Sequence, residues 1–145
     1  MRELRTEISI DAPPERVWDL LTDQEGLPAW NPFIREMTGD LTQGERIRVS
    51  LQQPGRKAMT FRPRLLRVSP GRELRWLGHM GVPGLFDGEH IFEILPGEGG
   101  GVRFVQRERF SGLLVPVLWR MLDRETREGF HGMNEALKAR AEAAA

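Results

Sequence analysis

Four polar side chains stand where this sequence otherwise places apolar ones. Gln106 and Glu108 fall at the same alternating positions as Val102, Phe104 and Phe110. A strand over 102–110 therefore turns an amide and a carboxyl group toward its aromatic side. His90 shares parity with Phe86, Phe92 and Ile94, and Arg64 with Leu66 and Val68. A carboxylate taken out of water needs a partner or changes its pKa, so Arg64 is the expected partner of Glu108. Together the four predict a polar floor in an apolar pocket, able to orient a ligand carbonyl, hydroxyl or carboxylate. In an enzymatic version, Glu108 or His90 is a general base on a carbon acid and Arg64 holds the developing enolate. The same residues also suit a structural ion pair, and a bulge near Pro63 would turn Arg64 to the other face.

Other catalytic patterns are missing. His79, His90 and His131 lack metal-ligand spacing, and there is no cysteine to join them. Ser111 lies in Phe-Ser-Gly, which is not a nucleophile elbow. The run Gly97-Glu98-Gly99-Gly100-Gly101 lies between two strands rather than opening a helix, so it reads as a hairpin loop and not a phosphate cradle. Neither a metal nor a cofactor is expected. The absence of tyrosine removes the phenol as an acid or an anchor.

The apolar wall of such a pocket would come from Trp30, Phe33, Trp76, Phe86, Phe104, Trp119, Leu122 and Phe130, with Met133 beside them. Aromatic residues line cavities and fill cores equally well, so the group carries more weight than any member. The expected entrance lies near Trp30-Asn31-Pro32-Phe33 and Gly81-Val82-Pro83-Gly84-Leu85. The latter suits either a movable lid or an ordinary hairpin turn.

These side chains need elements to hold them. Leu4, Thr6, Ile8 and Ile10 alternate with polar residues as a first strand. Asp11 to Glu15 then opens a helix, with proline in the first turn where its missing N–H costs nothing. Gly26 and Pro28 end it, and residues 27–33 form a second short helix or turn. Turn signals at Gln43-Gly44, Pro54-Gly55, Pro70-Gly71, Gly81 to Gly84, Pro96 to Gly101 and Ser111-Gly112 cut the middle into strands near 34–41, 45–52, 57–68, 72–79, 86–95 and 102–110. Short turns favour sequential antiparallel pairing. From roughly Val115 to Ala141, apolar residues at Val115, Trp119, Leu122, Phe130, Met133 and Leu137 mark one face of a long helix, about 38 Å at 1.5 Å per residue. Asp123–Arg127 and Arg124–Glu128 are possible i,i+4 pairs, and residues 141–145 are expected to fray.

Length and charge narrow the partners. The 145 residues fit one domain, spanning the whole chain. Lys+Arg and Asp+Glu balance at 21 each, which argues against nucleic acid or an anionic membrane as the main partner. The charged start, Met1 to Glu7, lacks the apolar core of a signal peptide, and no apolar run approaches a membrane span. The expectation is a cytoplasmic monomer or homodimer whose partner is a small hydrophobic molecule.

Five motifs carry a family resemblance. They are Ala12-Pro13-Pro14-Glu15-Arg16-Val17-Trp18, Trp30-Asn31-Pro32-Phe33-Ile34, Glu73-Leu74-Arg75-Trp76, Phe86-Asp87-Gly88-Glu89-His90 with Phe92, and Phe110-Ser111-Gly112-Leu113. Together they resemble a bacterial branch of the SRPBCC superfamily of START, polyketide cyclase/dehydrase and birch-pollen-allergen-like proteins, over nearly the whole chain. The resemblance implies an α+β helix-grip fold: a seven-stranded curved antiparallel sheet wrapped around a long C-terminal helix, with one or two short helices after the first strand. It implies a cavity for a lipid, polyketide or aromatic metabolite. Two alternatives follow from other members: a cyclase or dehydratase using the inward Glu/His and Arg, and a protein-interaction module like the heat-shock ATPase activators. Fold alone does not choose among them.

Overall fold

The computed structural model describes residues 1–143. In chain order the elements are β1 (Arg2–Ile10), α1 (Pro14–Thr22), α2 (Leu27–Trp30), β2 (Ile34–Thr38), β3 (Arg48–Leu51), β4 (Met59–Phe61), β5 (Arg64–Ser69), β6 (Glu73–His79), β7 (Asp87–Pro96), β8 (Val102–Ser111) and α3 (Val115–Glu142). The strands form a five-stranded sheet, ordered β1-β8-β7-β6-β5, and a three-stranded sheet, ordered β2-β3-β4. Every pairing is antiparallel. The α+β plan and the long final helix follow the sequence reading; the division of the strands does not. The expected strand 57–68 is broken at Arg62-Pro63, because proline offers no N–H to a ladder. An Arg46↔Arg64 bridge and the bonds from Ile47 N to Pro63 O and from Leu65 N to Glu45 O carry the two sheets past the break.

Two inward rows cross the large sheet. One runs Leu65, Trp76, His90, Glu108, Leu4, and the next runs Val68, Leu74, Phe92, Gln106, Thr6. α3 lies over this concave face against β1 and β8. Its buried stripe is Val115, Thr126, Gly129, Phe130, Met133, Asn134, Leu137 and Ala141. Between the layers, Phe33, Phe92, Phe104 and Phe130 are fully buried, each worth roughly 1.5–3 kcal/mol of apolar burial. Gly129 lets α3 come this close: a Cβ there would sit 2.9 Å from the Phe33 ring and 2.6 Å from Gln53 Oε1.

The far end of α3 is fastened rather than frayed. Arg16 Nε donates to Ala141 O at 2.8 Å and its Nη2 to Arg140 O at 3.0 Å, while Asp11 N donates to the Glu142 carboxylate at 2.7 Å. The helix thus runs through Glu142, and of the segment expected to fray, residues 144–145 lie outside the described residues. Of the two i,i+4 pairs, Asp123–Arg127 closes at 3.0 Å, and Arg124 has no ion pair with Glu128. On the convex face, ion pairs link Glu73, Arg75, Glu89, Arg109, Glu3, Arg107 and Glu93 in one run across four strands.

Candidate functional site

The inward rows bring His90 and Glu108 side by side, as directly opposed residues of β7 and β8. His90 is 1 % exposed and caged by rings: Phe92 stacks on it at 4.1 Å, with Phe130 at 4.8 Å, Trp76 at 5.3 Å and Phe33 at 6.1 Å between centroids. This apolar cage disfavours the imidazolium and pushes the ring down to about 3, against a smaller opposing effect of its bond to Gln106. Glu108 has no cationic partner among the described residues, and burial pushes its carboxyl up to about 8. At neutral pH the histidine is therefore a neutral imidazole beside a neutral carboxylic acid.

Glu108 owes its position to Gly88, the inward residue beside it on β7. A Cβ on Gly88 would come within 2.6 Å of Glu108 Oε2. Glu108 also divides two adjoining apolar cavities. The inner one, about 70 Å³, is walled by Val49, Trp76, Phe86 and His90, among others. The outer one, about 220 Å³, is walled by Phe33, Phe110, Leu122 and Thr126. Leu51, Phe61, Met80 and Phe86 border both. Together the two reach the lower edge of the ~300–1,000 Å³ usual for small-molecule sites. The outer cavity opens past Met59, Met80 and Met121, which are 52 %, 40 % and 40 % exposed. Arg56, paired with Glu125, and Lys57 stand at the same opening. Larger grooves, about 740 and 610 Å³, flank the Pro96–Gly101 hairpin at the sheet's other end and touch none of the buried polar residues.

The structure sorts the sequence candidates. Phe33, Trp76, Phe86, His90, Glu108 and Leu122 border the cavities. Gln106 and Phe130 stand one layer behind, against His90. Phe104 packs deeper, against Phe92, and does not reach the cavity walls. Trp30 packs at the core margin, and Trp119 lies against Phe110 with Arg2 over its ring, so neither is a wall residue. Arg64 is a correction. It is exposed and donates to Gly44 O at 3.1 Å. The register shifts between Leu65 and Arg67, so that Leu65 and Val68 both face inward and Arg64 faces out. The polar floor contains no arginine.

Of the residues expected at the entrance, Phe33 borders a cavity and Gly81 to Leu85 do not. Phe33 borders the outer cavity because Asn31 Oδ1 accepts from Phe33 N at 2.9 Å and Ile34 N at 2.8 Å, which turns the chain inward. The Gly81–Leu85 connection is tied by Gly84 N to the Asp87 carboxylate, which also pairs with His79 at 2.6 Å, and by the bonds from Leu113 N and Leu114 N to Gly84 O and Leu85 O. Four residues that matter here are not among the predicted floor or wall residues: Gly88, Asn31 and Thr6, which enter the sequence reading only within a motif, the entrance segment and a strand face, and Asn134. Thr6 sat at apolar parity on β1, and Asn134 lies four residues after Phe130 on the buried stripe; both signals were readable.

Among the described residues no group of three or more His, Cys, Asp or Glu could hold a metal ion, and no helix is long and apolar enough to cross a membrane.

The family described as "Polyketide cyclase / dehydrase and lipid transport" matches residues 1–142. No curated protein matches the chain. Among solved structures, the chain is similar to the Zhui aromatase/cyclase from Streptomyces sp. R1128, with TM-score 0.77, 17% identity, and 97% of this chain and 93% of that one covered. It is similar to a START superfamily protein from Mycobacterium smegmatis, with TM-score 0.75, 19% identity and 97% of both chains covered. It is also similar to a protein from Chromobacterium violaceum, with TM-score 0.74, 20% identity and 98% of both covered. At these identities the likeness shows a shared fold.

Proposed function

Because this chain belongs to the polyketide cyclase/dehydrase and lipid transport family, we propose that it binds one small, neutral, mainly apolar molecule in the paired cavities. A single observation carries this reading: the two cavities meet at Glu108, and their walls are mainly apolar, the charged side chains of Arg56, Lys57 and Glu125 standing at the outer cavity's opening. Burying the ligand's apolar surface supplies roughly 25 cal/mol per Å², less the cost of immobilising it. With no cation on the floor, an anionic head group would have to stay at the rim, beside Arg56 and Lys57. A lipid, a polyketide or an aromatic metabolite of modest size meets these terms. Native mass spectrometry of the protein purified from its own host tests the reading. A bound small molecule is expected in the wild type and absent from Leu51→Trp, which fills the junction of the cavities. A wild-type protein that is empty and shows no thermal shift with lipids, polyketides or aromatic acids removes it.

A second reading, dehydration within a bound β-hydroxycarbonyl compound, is favoured by Glu108 itself. A carboxyl group still protonated at pH 7 can give its proton to a leaving hydroxyl as the C–O bond breaks. His90 Nδ1 would take the α-proton as the C=C bond forms; the low basicity of its ring makes it the weaker member of the pair. Glu108→Gln separates the readings: ligand retained with turnover lost supports the enzyme, while an absence of turnover in the wild type leaves binding alone.

A further inference from the structure

Behind His90 runs a chain of buried amides whose direction can be read. Asn134 Nδ2 donates to Thr6 Oγ1 at 3.0 Å, and Gln106 Nε2 donates to Asn134 Oδ1 at 2.7 Å. Gln106 Nε2 also faces the Phe130 carbonyl at 3.4 Å. A carbonyl can only accept, so it holds the amide nitrogen on that side and leaves Gln106 Oε1 toward His90. That oxygen lies 3.0 Å from His90 Nε2. It too can only accept, so Nε2 carries the ring hydrogen and Nδ1 is a bare acceptor.

Nδ1 is buried and has no hydrogen-bond partner among the described residues. The nearest candidate, Glu108 Oε1, is 3.6 Å away, too far for a direct bond. Both atoms belong to residues on the inner cavity wall. No water-sized atom reaches Nδ1 with the side chains as they stand; a small outward shift of the Glu108 side chain on binding admits one ligand hydroxyl, which donates to Nδ1 and accepts from the Glu108 carboxyl. A buried acceptor left unpaired discriminates strongly against ligands that cannot fill it.

We infer that the Thr6–Asn134–Gln106 relay sets the ligand specificity of the cavity, by holding His90 as the Nε2–H tautomer so that the site selects neutral alcohols or phenols over the corresponding ethers and hydrocarbons. Gln106, Asn134 and Thr6 act as positioning residues, 0 %, 1 % and 4 % exposed and out of the ligand's reach. The inference rests on the small-molecule reading proposed above.

Two measurements test it. The ¹⁵N shifts of the imidazole in the ligand-free wild-type protein report the tautomer directly. A protonated Nε2 and bare Nδ1 are expected, and the opposite tautomer overturns the inference without any ligand. Titration with 2-naphthol, 2-methoxynaphthalene and naphthalene then reads selectivity. The phenol is expected to bind at least tenfold more tightly than its ether. That ratio should shrink toward one in Gln106→Leu, which removes the acceptor holding the hydrogen on Nε2, and survive in Gln106→Glu, which still accepts from it. Equal binding of phenol and ether by the wild type overturns the inference while leaving the cavity reading standing. Failure of all three probes to bind removes the reading beneath it.

Discussion

His90 Nδ1 and Glu108 Oε1 face each other across 3.6 Å at the inner cavity wall, and neither is bonded to any other described group. The pair holds no net charge at neutral pH because burial moves the two groups in opposite directions, the histidine down and the carboxyl up. This neutrality has consequences for stability as well as for binding.

The first concerns pH. Glu108 ionises near 4.5 in the unfolded chain but near 8 in the folded one. From 4.5 to 8 the unfolded state therefore holds fewer protons, and stability falls as pH rises. His90 binds its proton near 6.5 unfolded and near 3 folded, so stability falls as pH drops from 6.5 to 3. The two slopes, each up to about 1.4 kcal/mol per pH unit, cancel between 4.5 and 6.5. Urea denaturation from pH 4 to 9 is expected to show a plateau in that range and a decline from 6.5 to 8. Glu108→Gln should abolish the decline; an unchanged slope in the variant would assign it to other groups.

The second concerns Gly88. An added methyl at this site overlaps Glu108 Oε2, and overpacking of this kind costs roughly 1–3 kcal/mol. Gly88→Ala should be destabilising in the wild type and much less so in a Glu108→Ala background. A double-mutant cycle measures the coupling, and additive costs would show that the two residues do not compete for space.

The third concerns the chain's far end. Arg16→Ala removes both side-chain bonds to the last carbonyls of α3. A loss of about 1–2 kcal/mol is expected. Hydrogen exchange should quicken in the last turns of α3 and not around Phe130, which separates local release from a general loss of stability.

The fourth concerns the convex face. Arg107 reaches Glu93 at 2.7 Å and Glu3 at 2.8 Å, with 17 % of its side chain exposed. Such partly shielded pairs resist screening better than exposed ones. Arg107→Ala should cost about 1–2 kcal/mol at low salt, and denaturation in 1 M NaCl should show a smaller difference. A difference indifferent to salt would point to lost packing of the arginine stem instead.

The inward face of β8 was legible because Val102, Phe104, Gln106, Glu108 and Phe110 alternate without interruption, and regular alternation fixes which side a residue takes. The same logic failed at Arg64, because one bulged residue, Leu66, reverses parity and leaves no mark in composition. The cage around His90 joins Phe33, Trp76, Phe92 and Phe130 from four parts of the chain. No local period brings them together; the crossing of α3 over the sheet does. Asn134 meets Gln106 for the same reason, 28 residues away in sequence.

The ring of methionines at the cavity mouth gives the protein an unequal response to oxidants. The chain has no thiol to react first. Met59, Met80 and Met121 present their thioethers at the opening, whereas Met37 and Met133 are sealed in the core. Sulfoxide formation would turn a greasy doorway into a polar one while the scaffold behind it stayed reduced, and methionine sulfoxide reductases could reverse it.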